Sequence, residues 1–305
     1  MISSRIVRGG FFPALFTGLA AVACADSGGS GSVAVYAKEV LVDTEWVEQQ
    51  VANPSVRLLD VSSSSNGFGE GHIPGATYLS LRQLVNPNDP IQGQIATAAG
   101  VSEVLSGLGV ERDQTLILYD DSRNLQAARA YWVLKYYQHE NVRVYNGGST
   151  KWVADGRDLT ADITDFSSSS YEAGPADLQI RTTWQYVVDH VGDSSTLFCD
   201  VRGPDEHLGR DVRAERGGHI PGSINVEWSS AVNSDGTFKS ADALAALYQG
   251  AGFTPEKQII TYCQSGVRGA HTWFVLSELL GFPDVRNYDG SWTEYGNNAA
   301  SPVDR

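Results

Sequence analysis

Positive charge is scarce in this chain. Lysine and arginine together number 22 against 36 aspartates and glutamates, a formal net charge of -14, and no basic run occurs beyond the N-terminus. A nucleic-acid or anionic-membrane surface needs clustered lysine and arginine, so both are excluded as expectations. An anionic substrate would need a locally positive pocket. Charge of either sign is sparse at 19%, while 42% of residues are hydrophobic and 10% aromatic, which is the composition of a folded soluble protein rather than a disordered or fibrous one. Cysteine is also scarce, at three. Cys199 and Cys263 lie 64 positions apart, too far and too few for a small disulfide scaffold, so one of them is a candidate for chemistry.

No apolar run is long enough to span a bilayer comfortably. Residues 10–23 come nearest, behind Arg5 and Arg8, and residues 1–24 read as an export signal. Ala21-Val22-Ala23 offers a small-x-small cleavage pattern, Cys24 follows at once, and residues 25–37 form a Gly/Ser tether of the kind seen in bacterial lipoproteins. Lipid attachment at Cys24 is therefore the alternative to simple secretion, with Ala21 departing from the larger aliphatic residue of that pattern. Either reading places the mature chain in the periplasm or cell envelope, touching a membrane only through Cys24.

With 305 residues the chain has room for two domains, each with its own core. An internal repeat supports that division. Leu58-Leu59-Asp60-Val61 recurs as Phe198-Cys199-Asp200-Val201, Gly71-His72-Ile73-Pro74-Gly75 as Gly218-His219-Ile220-Pro221-Gly222, Leu116 to Asp120 as Ile259 to Cys263, and Tyr145-Asn146-Gly147-Gly148 as Tyr288-Asp289-Gly290-Ser291. Short apolar runs alternate with helical stretches over 126–138 and 269–280, the βα alternation of a parallel sheet flanked by helices. The expectation is an α/β protein with one half over 38–163, an exposed linker over 164–178 and a second half over 179–305. Trp46 and Trp184 mark equivalent first helices and are read as core. Ligands of such sheets sit beyond the carboxyl ends of strands, which is where Cys263 falls, after a strand over 259–262.

The duplicated Gly-His-Ile-Pro-Gly, the Asp-Val-Arg at Asp200, the loop Cys263-Gln264-Ser265-Gly266-Val267-Arg268 and the run Tyr288-Asp289-Gly290-Ser291-Trp292 together resemble the tandem rhodanese family, over residues from about 40 to the C-terminus. That resemblance implies two similar α/β domains, of which the first is catalytically empty, with Asp120 in the cysteine position, and the second supplies Cys263. It further implies a two-step sulfur transfer. Cys263 takes the outer sulfur of a small anionic donor as a persulfide and passes it to cyanide or a thiol, without a cofactor or metal.

The residues argue in the same direction without the family. A cysteine in a glycine-containing turn at a helix start faces unpaired N–H groups and the positive end of the dipole, which favours a thiolate. Loop amides of Gln264, Ser265, Gly266 and Val267, with the Arg268 guanidinium, are then candidates to hold donor charge. Among Arg202, Arg210, Arg213 and Arg216, Arg210 is the best single candidate for a further anion contact, because related chains carry a basic residue near it. Asp200 and Glu206 are expected to pair with arginines. His219 and His72 are expected to satisfy backbone groups, and His271 to point away from the site. Cys199, in an apolar strand, reads as a small core residue or a disulfide partner of Cys263. Asp121-Ser122-Arg123-Asn124 lacks the glycine that would let the first loop curl its amides inward. A cysteine phosphatase would keep five residues between cysteine and arginine where this loop has four, and a non-enzymatic sulfide-binding module would not need so complete a loop. For the donor, the resemblance implies that a neutral segment such as Gln264 to Val267 goes with 3-mercaptopyruvate, but the Arg268 charge favours the doubly charged thiosulfate, which is the expectation adopted.

Overall fold

A computed structural model describes residues 35–305; the expected export signal and Cys24 lie outside these described residues, as does most of the tether. Two five-stranded parallel sheets form, each from one repeat. The first half runs β1 (Leu41–Val42), α1 (Thr44–Gln50), β2 (Val56–Asp60), α2 (Ser65–Glu70), β3 (Thr77–Tyr78), α3 (Ala98–Gly107), β4 (Thr115–Tyr119), α4 (Leu125–Tyr136), β5 (Val142–Tyr145) and α5 (Gly148–Ala154). The second repeats that order through β6 (Arg181–Thr182), α6 (Trp184–Asp189), β7 (Thr196–Asp200), α7 (Pro204–His207), β8 (Ile224–Asn225), α8 (Ala241–Gly250), β9 (Gln258–Tyr262), α9 (Val267–Trp273), β10 (Val285–Tyr288) and α10 (Ser291–Tyr295). Strand orders are β1-β5-β4-β2-β3 and β6-β10-β9-β7-β8, all pairs parallel. The duplication read in the sequence is thus a duplication of topology, with β4 and β9 at the centre of their sheets and buried on both faces. No helix among the described residues is long and apolar enough to cross a membrane.

The halves meet through α4 and α9. Helix α4 is buried almost all round, because one side covers its own sheet and the other packs on α9, where Tyr131 meets Phe274 edge-on at 4.8 Å. One apolar cluster consequently runs through both halves without a break. The expected helix over 269–280 begins two residues earlier and changes character midway, Phe274–Leu279 continuing it as a π-helix. Trp46 and Trp184 do sit in equivalent helices, but both are only half-buried, and the core positions belong to Val47 and Val187 one and three residues on. Between α5 and β6 no helix or strand forms, as expected of a linker, yet the segment is not simply exposed: Tyr171 is buried, stacked on His139, and Phe166 lies flat on the Arg57 guanidinium.

Two histidines are sealed into this framework. His271 lies between Phe238 and Trp228, and burial pushes its pKa down to about 3, the Arg123 carbonyl offsetting only part of that. His139, under Tyr171, is pushed down to about 4 by burial. A histidine whose folded pKa is depressed takes up its proton preferentially in the unfolded chain. Its stabilisation is therefore complete above about pH 6.5 and is lost as pH falls from there towards the folded value. At pH 5 each histidine costs about 2 kcal/mol. Melting curves between pH 7.5 and 5 should show this fall, and His271→Phe should remove about half of it; an unchanged pH slope in the variant would contradict the assignment.

Candidate active site

Cys263 is the first residue beyond β9 and is almost wholly buried. Its amide and that of Gly266 both donate to Ser291 Oγ at 3.1 Å, and the Ser291 hydroxyl donates to the Tyr288 carbonyl at 2.7 Å. One side chain thus gathers both ends of the loop. Ser291 holds φ of 48°, a region costly for a side-chain-bearing residue, where the first half has Gly148. Gly266 turns the chain at φ 78°, and a Cβ there would meet the Asp289 carbonyl oxygen at 2.8 Å, so glycine is required. The amides of Gln264, Ser265, Val267, Arg268 and Gly269 have no acceptor among the described residues. These five N–H groups lie at the start of the helical run from Val267 to Leu279, the end of a helix that favours negative charge.

The other half contains such a cradle in its filled form. Asp120, at the corresponding end of β4, accepts hydrogen bonds from the amides of Ser122 (2.8 Å) and Asn124 (2.9 Å) on Oδ1 and of Gln126 (2.7 Å) and Ala127 (2.9 Å) on Oδ2. Burial raises the Asp120 pKa, and those four amides work against the rise. The expectation that this loop cannot curl for want of glycine is overturned: Arg123 and Asn124 take left-handed conformations at φ 60° and 62°, and Asn124 caps α4 as Gly266 caps α9. Asparagine tolerates that region better than most residues. A carboxylate occupies in one half the place that a cysteine sulfur and its substituent would take in the other.

Charged groups around Cys263 are arranged in pairs. Arg268 forks onto Glu206, with contacts of 2.6 and 2.9 Å. Burial would lower the Arg268 pKa, but Glu206 and the adjoining Cys263 hold it raised; Glu206, which burial would raise, is held below its usual range by Arg268. Asp200 is buried beneath Arg202 and His207, which outweigh burial and hold its pKa at about 2. Arg202 also lies over the Trp292 ring. Tyr262, next to the cysteine, donates to Asp200 at 3.0 Å and accepts the Ile220 amide at 3.2 Å, so the second Gly-His-Ile-Pro-Gly turn is tied to the site through its backbone. The histidines of both such turns bond carbonyls, His72 that of Phe68 and His219 that of His207.

Gln264 and Ser265 line an open cleft of about 790 Å³ whose far wall is Ile91, Gln92 and Gly93 of the first half. Gln264 spans its floor, donating to the Arg213 carbonyl and Thr293 Oγ1. Here the arginine expectation needs correcting. Arg210 is exposed and pairs with Asp205 at 2.9 Å, away from the loop, whereas Arg213 lines the cleft, 3.6 Å from Glu206. Both lie in the irregular stretch that follows the four-residue helix α7, whose course could not be read from sequence. Arg216 binds the carbonyls of Tyr295 and Ser301 and stitches the C-terminus. Cys199 is buried in β7, its pKa raised well above the usual thiol value by burial and then Asp200, and both cysteines are free thiols. No three His, Cys, Asp or Glu side chains among the described residues are grouped as metal ligands.

Comparison with known proteins follows this geometry. The profile of the Rhodanese-like domain matches twice, over residues 43–155 and 183–298. The "Sulfur carrier protein TtuD" of Thermus thermophilus is 41% identical over 276 residues, covering 87% of this chain and 96% of its own. A protein of Mycolicibacterium smegmatis named "Putative thiosulfate sulfurtransferase" is 42% identical over 274 residues, 87% of this chain and 98% of its own. Among solved structures, the 3-mercaptopyruvate sulfurtransferase SseA of Escherichia coli superposes with a TM-score of 0.75 at 27% identity, covering 83% of this chain and 98% of that one.

The filled cradle gives a test independent of activity. Asp120→Ala should leave four amides without an acceptor, those of Asn124 and Ala127 buried, and cost at least about 2 kcal/mol in denaturant unfolding, since each orphaned buried group carries about 1–3 kcal/mol. A loss below about 0.5 kcal/mol would mean that the carboxylate does not hold the loop.

Proposed function

The chain belongs to the rhodanese family, and from that premise we propose that it moves a sulfane sulfur from thiosulfate to cyanide or a thiol through a persulfide on Cys263. The single observation that carries this reading is the placement of Cys263 at the end of β9, ahead of a loop and helix start equivalent to the one whose amides bind Asp120 in the other half. The Cys263 thiolate attacks the outer sulfur of thiosulfate; a Cys–S bond to that sulfur forms, the S–S bond of the donor breaks, and sulfite leaves with the electron pair. The persulfide anion then lies among N–H groups that stabilise it without reorganising. In the second step cyanide or a thiolate attacks the outer sulfur, forming thiocyanate or a new persulfide and returning Cys263 as thiolate. No proton needs to be carried by a separate base.

Thiosulfate is favoured by the arginines. Arg268 is paired with Glu206 and the half-exposed Arg213 at the cleft with Asp211, so the preference rests not on net charge but on guanidinium donors that a dianion attracts more strongly than a monoanion. The names carried by the actinobacterial relatives agree with this donor, and that of the Thermus relative agrees with a protein that holds sulfur. The alternative donor is 3-mercaptopyruvate, the substrate in the name of the Escherichia coli enzyme. Export, either by simple secretion or with lipid attachment at Cys24, belongs to the same proposal; the mass of the mature N-terminus decides between the two.

Intact mass after incubation with thiosulfate should show one added sulfur on the wild type and on Cys199→Ser, and none on Cys263→Ser. Equal loss in both variants would remove Cys263 from its role. For the donor, kcat/KM should favour thiosulfate over 3-mercaptopyruvate. Arg268→Ala should raise the thiosulfate KM at least several-fold, with Arg268→Met/Glu206→Gln included so that an unpaired buried Glu206 is not the cause. A wild-type preference for mercaptopyruvate would overturn the donor assignment.

A further inference from the structure

The first half contributes a buried guanidinium to the loop of the second. Arg129, on α4, has a side chain only 3% exposed, and its Nη2 lies 2.7 Å from Oδ1 of Asp289, which is wholly buried. Nη2 also donates to the Gly93 carbonyl at 3.1 Å and Nη1 to the Gly266 carbonyl at 3.4 Å. Asp289 is held from the first half a second time, accepting the Ile95 amide on Oδ2 at 2.9 Å. Two residues after it comes Ser291, whose hydroxyl takes the amides of Cys263 and Gly266. Gly266 is therefore fixed at its amide by Ser291 and at its carbonyl by Arg129 and Asn287. Gly93, on the same guanidinium, forms the far wall of the cleft and approaches Ser265 so closely that a Cβ there would meet the Ser265 carbonyl oxygen at 3.1 Å.

Pseudo-symmetry identifies what is particular to this residue. Arg129 stands five positions after the left-handed cap Asn124, and His271 five positions after the cap Gly266. Each reaches across the interface towards the opposite loop, but His271 lies neutral near the Arg123 carbonyl, whereas the position facing the cysteine loop carries a planar, permanently charged fork with three partners. Burying such a charge is costly unless every donor is used, so a merely structural brace would be served as well by an apolar contact of the same volume.

We infer that Arg129 is a positioning residue for sulfur transfer, and that through it the half lacking a nucleophile sets the geometry of the amide ring and the width of the cleft. This rests on the proposed role of Cys263 and extends it to a residue that does not touch the donor. Displacing an amide ring by a fraction of an ångström weakens its hold on charge developing in the transition state more than its hold on the bound donor. The effect should therefore fall on kcat.

The test uses Arg129→Lys, which keeps the charge but not the fork, and Arg129→Gln/Asp289→Asn, which keeps a neutral hydrogen-bonding pair. Assayed well below their melting temperatures, folded variants should lose at least 10-fold in kcat for thiosulfate with KM within about 3-fold, while Cys263 still reaches one sulfur per chain by intact mass, more slowly. Wild-type kcat in either folded variant overturns the inference, as does a loss confined to KM. If Arg129→Lys fails to fold, the neutral double variant carries the test. Absence of the sulfur adduct in the wild type would instead count against the Cys263 reading itself, so the two failures are distinguishable.

Discussion

A turn from a buried strand into a helix leaves N–H groups pointing at one spot with nothing to bind, and in this protein that constraint is met twice. At the end of β4 the chain supplies its own anion, and the Asp120 carboxylate takes four amides. At the end of β9 it supplies a sulfur atom instead and leaves five amides open. The surrounding architecture follows from keeping the second arrangement intact while it is unsatisfied. Ser291 accepts backbone strain to gather the loop, Gly266 provides a turn no other residue fits, and Glu206 holds Arg268 beside the cysteine. Such strain is tolerated where neighbouring contacts over-determine it.

The duplication accounts for how those contacts are supplied. Each half presents to the other a helix, α4 or α9, and a short segment that closes over the partner's loop: Asn124 bonds the Gly236 carbonyl of the second half, and Gly93 of the first packs on Ser265. The cross-bracing makes the interface a continuation of the core rather than a surface between domains. The first half accordingly forms one wall of the cleft beside the Cys263 loop. Its buried Arg129–Asp289 pair would be expensive in isolation, and the bonds of the guanidinium to the Gly93 and Gly266 carbonyls offset part of the desolvation.

Much of this was legible in the residues. Short apolar runs alternating with helical stretches marked the sheets, and the paired Gly-His-Ile-Pro-Gly turns marked the repeat. Cys263 stood where a parallel sheet presents ligands, and Asp120 stood in the matching place. The arginines were not legible in the same way. Arg210 and Arg213 differ by three positions in the irregular stretch after α7, and which of them reaches the cleft depends on the path of a chain with no helical or strand period. Nor was the first loop, whose left-handed Arg123 and Asn124 were hidden by the absence of glycine.

The sequence by itself determined the α/β class, the duplication and the nucleophile candidate, because each of these is written locally, in periodicity, in turn residues and in the position of one side chain after one strand. Only the tertiary structure decided which charges meet. Glu206 finds Arg268 across 62 positions and Arg129 finds Asp289 across 160, and no local pattern encodes such distances. Ion pairs of this reach are set by how two sheets and their helices pack, and that packing is fixed by the summed burial of side chains from both halves, not by any segment of the chain.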